Sequence, residues 1–339
     1  MAVENGEWVP HGADWDSPER EGGIRKILQQ EGRIPEQEDH GPLWGEEYRQ
    51  NKGEQTMKIT SIALDLDGTT LNSRGVLSER TRQAIEKALG RDICVIPASG
   101  RSFDSLPEEI LHIPGIRYAI TSNGTAVVDV RTGGYLRKFS LTEESAEKIL
   151  DLMSGRDVAF EAFIDGKPYA QKEYVEDPVR FGAMPAAIGY IQRTREPVED
   201  MEAFIRAHGR AGKLDCLDVV VKGEEKKHNL WRLLERDVPD IYVTSSVPQL
   251  LEISYRDAGK ESALRFLLQY LGLEQAESTA FGDGDNDRGM LAFAGIGIAV
   301  ANGSQGCLQA ADHIAGSNDE DGVAEGIEWL LAMQKEEQP

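Results

Sequence analysis

Two aspartates spaced i, i+2, Asp65 and Asp67, end the apolar run Ile62-Ala63-Leu64 and lead into the turn Gly68-Thr69-Thr70. Far downstream the chain repeats the device as Gly282-Asp283-Gly284-Asp285-Asn286-Asp287, again directly after an apolar stretch. Carboxylates gathered at the ends of apolar segments repel one another unless a cation sits among them, so the set implies a bound Mg²⁺. The groups then divide by role. Asp65 can attack a phosphorus atom and form an aspartyl-phosphate if a metal offsets the charges. Asp67 lies on the same side of a locally extended chain, where it can give a proton to the leaving oxygen and later take one from water. Asp283 would join one oxygen of Asp65 and the backbone carbonyl of Asp67 around the metal, and Asp287 would bind it directly or orient a coordinated water. Ser99, the Gly100 amide and Lys260 would neutralise the transferring phosphoryl oxygens.

Residues so far apart in sequence need a scaffold that brings them together. From residue 57 onward strand-like and helix-like patterns alternate, the signature of a parallel sheet flanked by helices. Strands are expected at Ile59 to Leu64, Asp92 to Pro97, Tyr118 to Ser122, Ser278 to Phe281 and Ile296 to Val300, with helices at Ser78 to Leu89, Lys260 to Leu271 and Val323 to Met333. Between these blocks, residues 141–254 mix helices (Glu143 to Met153, Glu199 to His208, Glu225 to Leu234) with strands such as Val158 to Ile164 and Leu217 to Val221. The expected fold class is therefore α/β: a doubly wound, Rossmann-like core of residues 57–140 and 255–339 with an inserted α+β domain at 141–254. In such open sheets ligands bind at the carboxyl ends of the strands, and every polar cluster above lies at one.

Taken in order, Asp-Leu-Asp-Gly-Thr-Thr at 65–70, Ser-Gly-Arg at 99–101, Gly-Lys at 259–260 and Gly-Asp-Gly-Asp-Asn-Asp at 282–287 resemble the four motifs of the haloacid dehalogenase (HAD) superfamily. The segment Ser317 to Val323 is similar to the Cof-type subfamily of sugar-phosphate phosphatases, and the likeness spans nearly all of residues 57–335. It implies Asp65 as nucleophile, Asp67 as acid/base, and a Mg²⁺ site of Asp65, Asp67, Asp283 and Asp287. It further implies contact of Leu66, Ser99, Gly100, Arg101, Lys260 and Asn286 with the substrate or its phosphoryl group. Only 34 positions separate Asp65 from Ser99, whereas 159 separate Arg101 from Lys260, which puts the cap in the second gap and resembles a type II (subclass B) cap. Thr70, and Tyr255 to Ala258 before the lysine, depart from the family pattern and bear on substrate rather than chemistry.

Several residues admit plainer readings. Arg101 can pair with a core carboxylate as readily as it reaches substrate, and Asp285 reads as a solvated turn residue. Lys222, Lys226, Lys227 and His228 read as a solvated helix face, with a substrate-phosphate contact as the alternative. Glu161, Tyr169 and Arg180 could face substrate, while His112 and His313 read as structural. The expected reaction is phosphomonoester hydrolysis on sugar phosphates or related metabolites. A phosphomutase, or a phosphoryl-accepting regulatory module, remains as an alternative on the same core.

Composition sets the outer limits. The net charge of −22 over 339 residues argues against a general basic surface for nucleic acid or anionic membrane, so a phosphorylated small molecule is the expected partner and must be held locally. Cys94, Cys216 and Cys307 have no metal or disulfide spacing, which with the absence of a leader or spanning segment points to the cytoplasm. Residues 1–56, rich in Glu, Gln, Gly and Trp, read as a weakly structured extension with one short helix around Ile24 to Gln30. Met57 could be the natural initiator; alternatively Trp8, Trp15 and Trp44 could form a docking segment.

Overall fold

The computed structural model describes residues 2–4, 7–9 and 58–334. The helix expected around Ile24 to Gln30, Trp15, Trp44 and Met57 lie outside them, and Trp8 is described through its backbone alone. Ala2–Glu4 (β1) and Glu7–Val9 (β2) pair antiparallel as a small hairpin that the sequence had not suggested.

Five strands build the main sheet: Ser61–Leu64 (β3), Cys94–Pro97 (β4), Ser278–Gly282 (β14), Ile296–Val300 (β15) and His313–Ala315 (β16). Their order is β16-β15-β14-β3-β4 and every pairing is parallel. The strands β3, β14 and β15 are buried along their whole length, which is why they read as unbroken apolar or small-residue runs rather than alternating ones. Chain order proceeds outward in both directions from the β3–β14 boundary, so this boundary is the switch point of a doubly wound sheet. The strand expected from Asp92 starts later, at Cys94, because Asp92 takes a left-handed conformation (φ 60°) in the turn leaving the preceding helix.

Helix boundaries follow their caps. Ser78 accepts a hydrogen bond from the Thr81 amide and starts the helix Glu79–Leu89. Asp200 caps the Ala203 amide, which moves the helix expected at Glu199 to Met201–Arg210. Lys260–Leu271 buries Ala263, Leu264, Leu267 and Leu268 at helical spacing and stops at the left-handed Gly272.

The third expected strand forms, but not as a full member of the parallel sheet. Tyr118–Thr121 (β5) meets the chain just past β4 through a single parallel bridge, Ala98 to Ile120, and otherwise pairs antiparallel with Ala126–Asp129 (β6), which pairs with Gly134–Lys138 (β7). Pro97 has no N–H to offer, so the link to β5 begins beyond it, with the Ser99 amide donating to the Ile120 carbonyl.

The inserted segment forms a second sheet. Ala159–Ile164 (β8), Lys167–Gln171 (β9), Glu196–Val198 (β10), Leu214–Val220 (β11), Ile241–Thr244 (β12) and Leu250–Tyr255 (β13) lie in the order β10-β9-β8-β11-β13-β12, antiparallel except for β9–β10. One face, carrying Phe160, Ala162, Leu217, Val219, Leu251 and Ile253, shares a core with residues of Glu143–Met153, Met201–Arg210 and Glu224–Asp237. By alternation the other face carries Glu161, Asp218 and Glu252. The fold is thus the expected α/β class, a parallel core with an inserted α+β cap. Among the described residues, no helix is long and apolar enough to cross a membrane.

One close approach fixes the position of Lys260. Gly124 has φ +85°, and a Cβ placed there would lie 2.1 Å from the Gly259 carbonyl oxygen. Gly124→Ala combines backbone strain with a main-chain clash and is expected to cost about 3 kcal/mol or more, visible as a melting temperature lower by at least about 5 °C. An unchanged melting curve would contradict this packing.

Candidate active site

Asp65 and Asp283 each follow the last residues of adjacent parallel strands, with Leu64 in register with Phe281 and the Asp65 amide donating to the Phe281 carbonyl. Neighbouring strands lie about 4.8 Å apart, so two aspartates leaving paired strand ends must be neighbours. Asp287, in the short turn before the helix Arg288–Phe293, folds back and accepts from the amides of Asp283 (3.0 Å) and Gly284 (2.9 Å). Carboxylate oxygens of Asp65, Asp283 and Asp287 all lie within 4.8 Å of one another. Thr69 steadies the group by donating to Asp283 Oδ1 at 2.8 Å. Gly68, at φ +81°, leaves the room this requires, since a Cβ there would stand 2.5 Å from Asp283 Oδ2.

Lys260 is wholly buried and donates to Asp65 Oδ1 (2.6 Å) and Asp287 Oδ1 (2.7 Å). Burial works against its charge, but Asp287 and Asp65 outweigh burial and hold the ammonium's pKa above its ordinary value. The carboxylates move the other way. Burial, then Asp287, raises Asp65 well above the usual carboxylate range despite Lys260, and the same two causes push Asp283 up to about 6. One ammonium among two buried carboxylates and the partly buried Asp283 leaves the cluster short of positive charge. The donor set, all carboxylate oxygen, suits a hard divalent cation.

The other expected site residues surround this cluster, with one difference of engagement. Ser99 is buried, and its hydroxyl accepts from the Arg101 amide at 3.1 Å. Gly100 faces Asn123 and Glu252, and the Leu66 side chain is buried in the core. Asn286 donates to Asn123 Oδ1 (2.9 Å), and Asn123 donates to Glu252 Oε1 (2.9 Å), a chain running from core to cap. Arg101 grips Asp67 in a two-pronged contact, Nε to Oδ2 at 2.7 Å and Nη2 to Oδ1 at 2.6 Å, while its Nη1 donates to the Ser105 carbonyl. Tyr190 of the cap stacks beneath that guanidinium at 4.8 Å. The Asp67 side chain is half-exposed and outside the three-carboxylate cluster, and the Asp285 carboxylate accepts from Ser304 at the surface.

The structure also sorts the residues named in the inserted segment. Lys227 is buried rather than solvated, donating to Ser245 Oγ (2.6 Å) and the Val247 carbonyl (3.2 Å); Lys222, Lys226 and His228 are exposed. Tyr169 packs on Phe204 at 4.8 Å, in the core on the far side of the sheet, and Arg180 is exposed. Glu161 is buried and ion-paired with Arg195 at 2.7 Å. Sequence reasoning did not assign roles to Thr69, Asn123 and Asn302, whose side chain donates to the Gly68 carbonyl; the signal available for Asn123 was its place in Asn-Gly at a strand end. Asn318 and Asp319 brace the first motif by bonding the Leu71 carbonyl and the Ser73 amide.

The sequence profile described as haloacid dehalogenase-like hydrolase matches residues 62–327. The 5-amino-6-(5-phospho-D-ribitylamino)uracil phosphatase YwtE of Bacillus subtilis is 30% identical, covering 80% of this chain and 98% of its own length. Phosphatase YwpJ of the same organism is 27% identical over 80% of this chain and 99% of its own. A solved haloacid dehalogenase-like hydrolase from B. subtilis superposes with a TM-score of 0.69 at 25% identity, covering 80% of this chain and 99% of the other. A solved HAD subclass IIB sugar phosphatase shares the fold at 17% identity, with a TM-score of 0.68 over 81% of this chain and 99% of its own.

The raised pKa of Asp283 makes stability depend on pH. Its folded pKa of about 6 lies above the unfolded value, so in metal-free protein its contribution to stability is fully present below about pH 4 and lost as pH rises through 6. Asp283→Asn removes that loss. Without divalent cation the variant is expected to melt above the parent at pH 7.5 and to gain less from added Mg²⁺; a lower melting point, or an undiminished Mg²⁺ gain, would contradict the crowding.

Proposed function

The chain belongs to the haloacid dehalogenase-like hydrolase family, and we propose that it is a Mg²⁺-dependent phosphatase, hydrolysing small phosphomonoesters such as sugar phosphates through an aspartyl-phosphate on Asp65. The observation that carries this reading is the buried Asp65 carboxylate, held by Lys260 through Oδ1 at the carboxyl end of β3. Lys260 fixes that oxygen and leaves Oδ2 to attack phosphorus. Support for the substrate class comes from the phosphatase names of the relatives and from the sugar-phosphatase fold. We take residues 57–140 and 255–339 as the core and 141–254 as the cap, and place the protein in the cytoplasm, where three free cysteines are at home.

Asp65, Asp283 and Asp287, with the backbone of Asp67, would hold Mg²⁺, which when bound supplies positive charge to offset that of the nucleophile and the phosphoryl oxygens. Ser99 and the Gly100 amide would seat those oxygens beside Lys260. As Asp65 attacks, the ester P–O bond breaks and Asp67 delivers a proton to the departing oxygen. Asp67 then takes a proton from the water that splits the aspartyl-phosphate. Both oxygens of Asp67 accept from Arg101, so the carboxyl must leave that fork before it can reach the departing oxygen. A phosphoryl group arriving beside Arg101 competes for the guanidinium and promotes that release.

Phosphate release from p-nitrophenyl phosphate tests the assignment. Asp65→Asn is expected to cut kcat by about 10³-fold or more, and Asp67→Asn by about 10²-fold or more. Removal of Mg²⁺ should abolish turnover. Full activity in Asp65→Asn would sink the nucleophile, and full activity in Asp67→Asn the acid/base.

A further inference from the structure

The cap turns an unusual row of side chains toward the core. In the sheet register Glu161 lies opposite Asp218, and Asp218 opposite Glu252, so three carboxylates stand side by side across β8, β11 and β13. Directly opposed side chains are about 5 Å apart at Cβ, and like charges there are destabilising. All three are at least nine-tenths buried. Two have help. Glu161 is paired with Arg195, and Glu252 accepts from Asn123 through Oε1, although its Oε2 is buried without a hydrogen-bond partner. Asp218, only 5% exposed, makes no hydrogen bond or ion pair among the described residues.

Asp218 is not sealed in the sheet. It lines a cavity with Phe163 and Glu252 of the cap and with Gly100, Ser122 and Asn123 of the core loops. Gly100 belongs to the seat proposed for the phosphoryl group, so seat and acidic row border the same small cavity. The near end of the alcohol portion of a phosphomonoester bound there would face it.

We propose that this alcohol portion carries a protonated amine, which Asp218 receives with Glu252 beside it, making the preferred substrates aminated phosphomonoesters such as amino-sugar or aminoalkyl phosphates. The proposal rests on the phosphatase reading above and adds the substrate class. Charge decides between a cation and plain hydroxyls. With hydroxyl groups beside them these buried carboxyls keep their protons, whereas an ammonium supplies both hydrogen bonds and the charge that lets Asp218 ionise. Burial, then Glu252 and Glu161, hold the Asp218 carboxyl well above the usual range, as expected of a group whose counter-ion arrives with the ligand.

The test compares kcat/KM of the full-length protein with Mg²⁺ on matched pairs: glucosamine 6-phosphate with glucose 6-phosphate, 3-aminopropyl phosphate with propyl phosphate, and pyridoxamine 5′-phosphate with pyridoxine 5′-phosphate. At least one amine is expected to be favoured by about tenfold or more, the scale of a charge-assisted hydrogen bond. Asp218→Asn should bring that ratio close to one, and Asp218→Glu should keep most of it. Ratios near one for all three pairs in the parent, alongside turnover of p-nitrophenyl phosphate, would overturn the amine and leave the phosphatase reading standing. A preference that survives Asp218→Asn would overturn the role of Asp218. Absence of turnover on every ester, p-nitrophenyl phosphate included, would overturn the phosphatase reading and the amine with it.

Discussion

One buried ammonium shared between two buried carboxylates is the constraint from which the rest of the site follows. Lys260 contacts Asp65 and Asp287 at once, and Asp283 crowds the same space without a cation of its own. A buried ion pair adds little to stability relative to well-packed apolar groups, so such a cluster has to be held by the scaffold around it. The parallel strands β3 and β14 do this by delivering Asp65 and Asp283 from adjacent ends, and the contact between Gly124 and Gly259 sets where Lys260 begins its helix. The shortage of positive charge is the feature on which the proposed reading rests, in which the cluster would receive a divalent cation and a phosphoryl group.

The carboxylate cluster and the acidic row sit on different sheets yet meet through a short polar chain. Asn286 leaves the turn that carries Asp287, bonds Asn123, and Asn123 bonds Glu252 of the cap. Tyr190 lies against Arg101, which holds Asp67, so the proposed acid/base also feels the cap. A change in how the cap seats on the core would therefore reach both the proton-transfer group and the acidic row. In the proposed phosphatase this arrangement would let cap residues vary the alcohol that is accepted while the carboxylate cluster stays the same.

Much of the core was legible in the sequence because parallel strands buried on both faces have a strong local signature. Ile62 to Leu64 and Ala280 to Phe281 announce themselves as apolar runs, and the acidic residues that follow have nowhere to lie except at their ends. Caps were readable for the same local reason, as with Ser78. The misses are tertiary. Nothing local says that Tyr118–Thr121 pairs antiparallel in a separate sheet, or that Lys227, on a helix otherwise solvated at that end, turns inward to Ser245. The row of Glu161, Asp218 and Glu252 exists only through strand register, joining residues far apart in the chain, and no periodicity along one strand reveals it.

The central claim is that Asp65, not water, attacks phosphorus first, and the stereochemical course at phosphorus tests it most directly. With a phosphomonoester made chiral by oxygen isotopes and hydrolysed by the Mg²⁺-loaded protein, two successive in-line displacements predict overall retention of configuration. Inversion would mean a single displacement by water and would contradict the covalent role of Asp65.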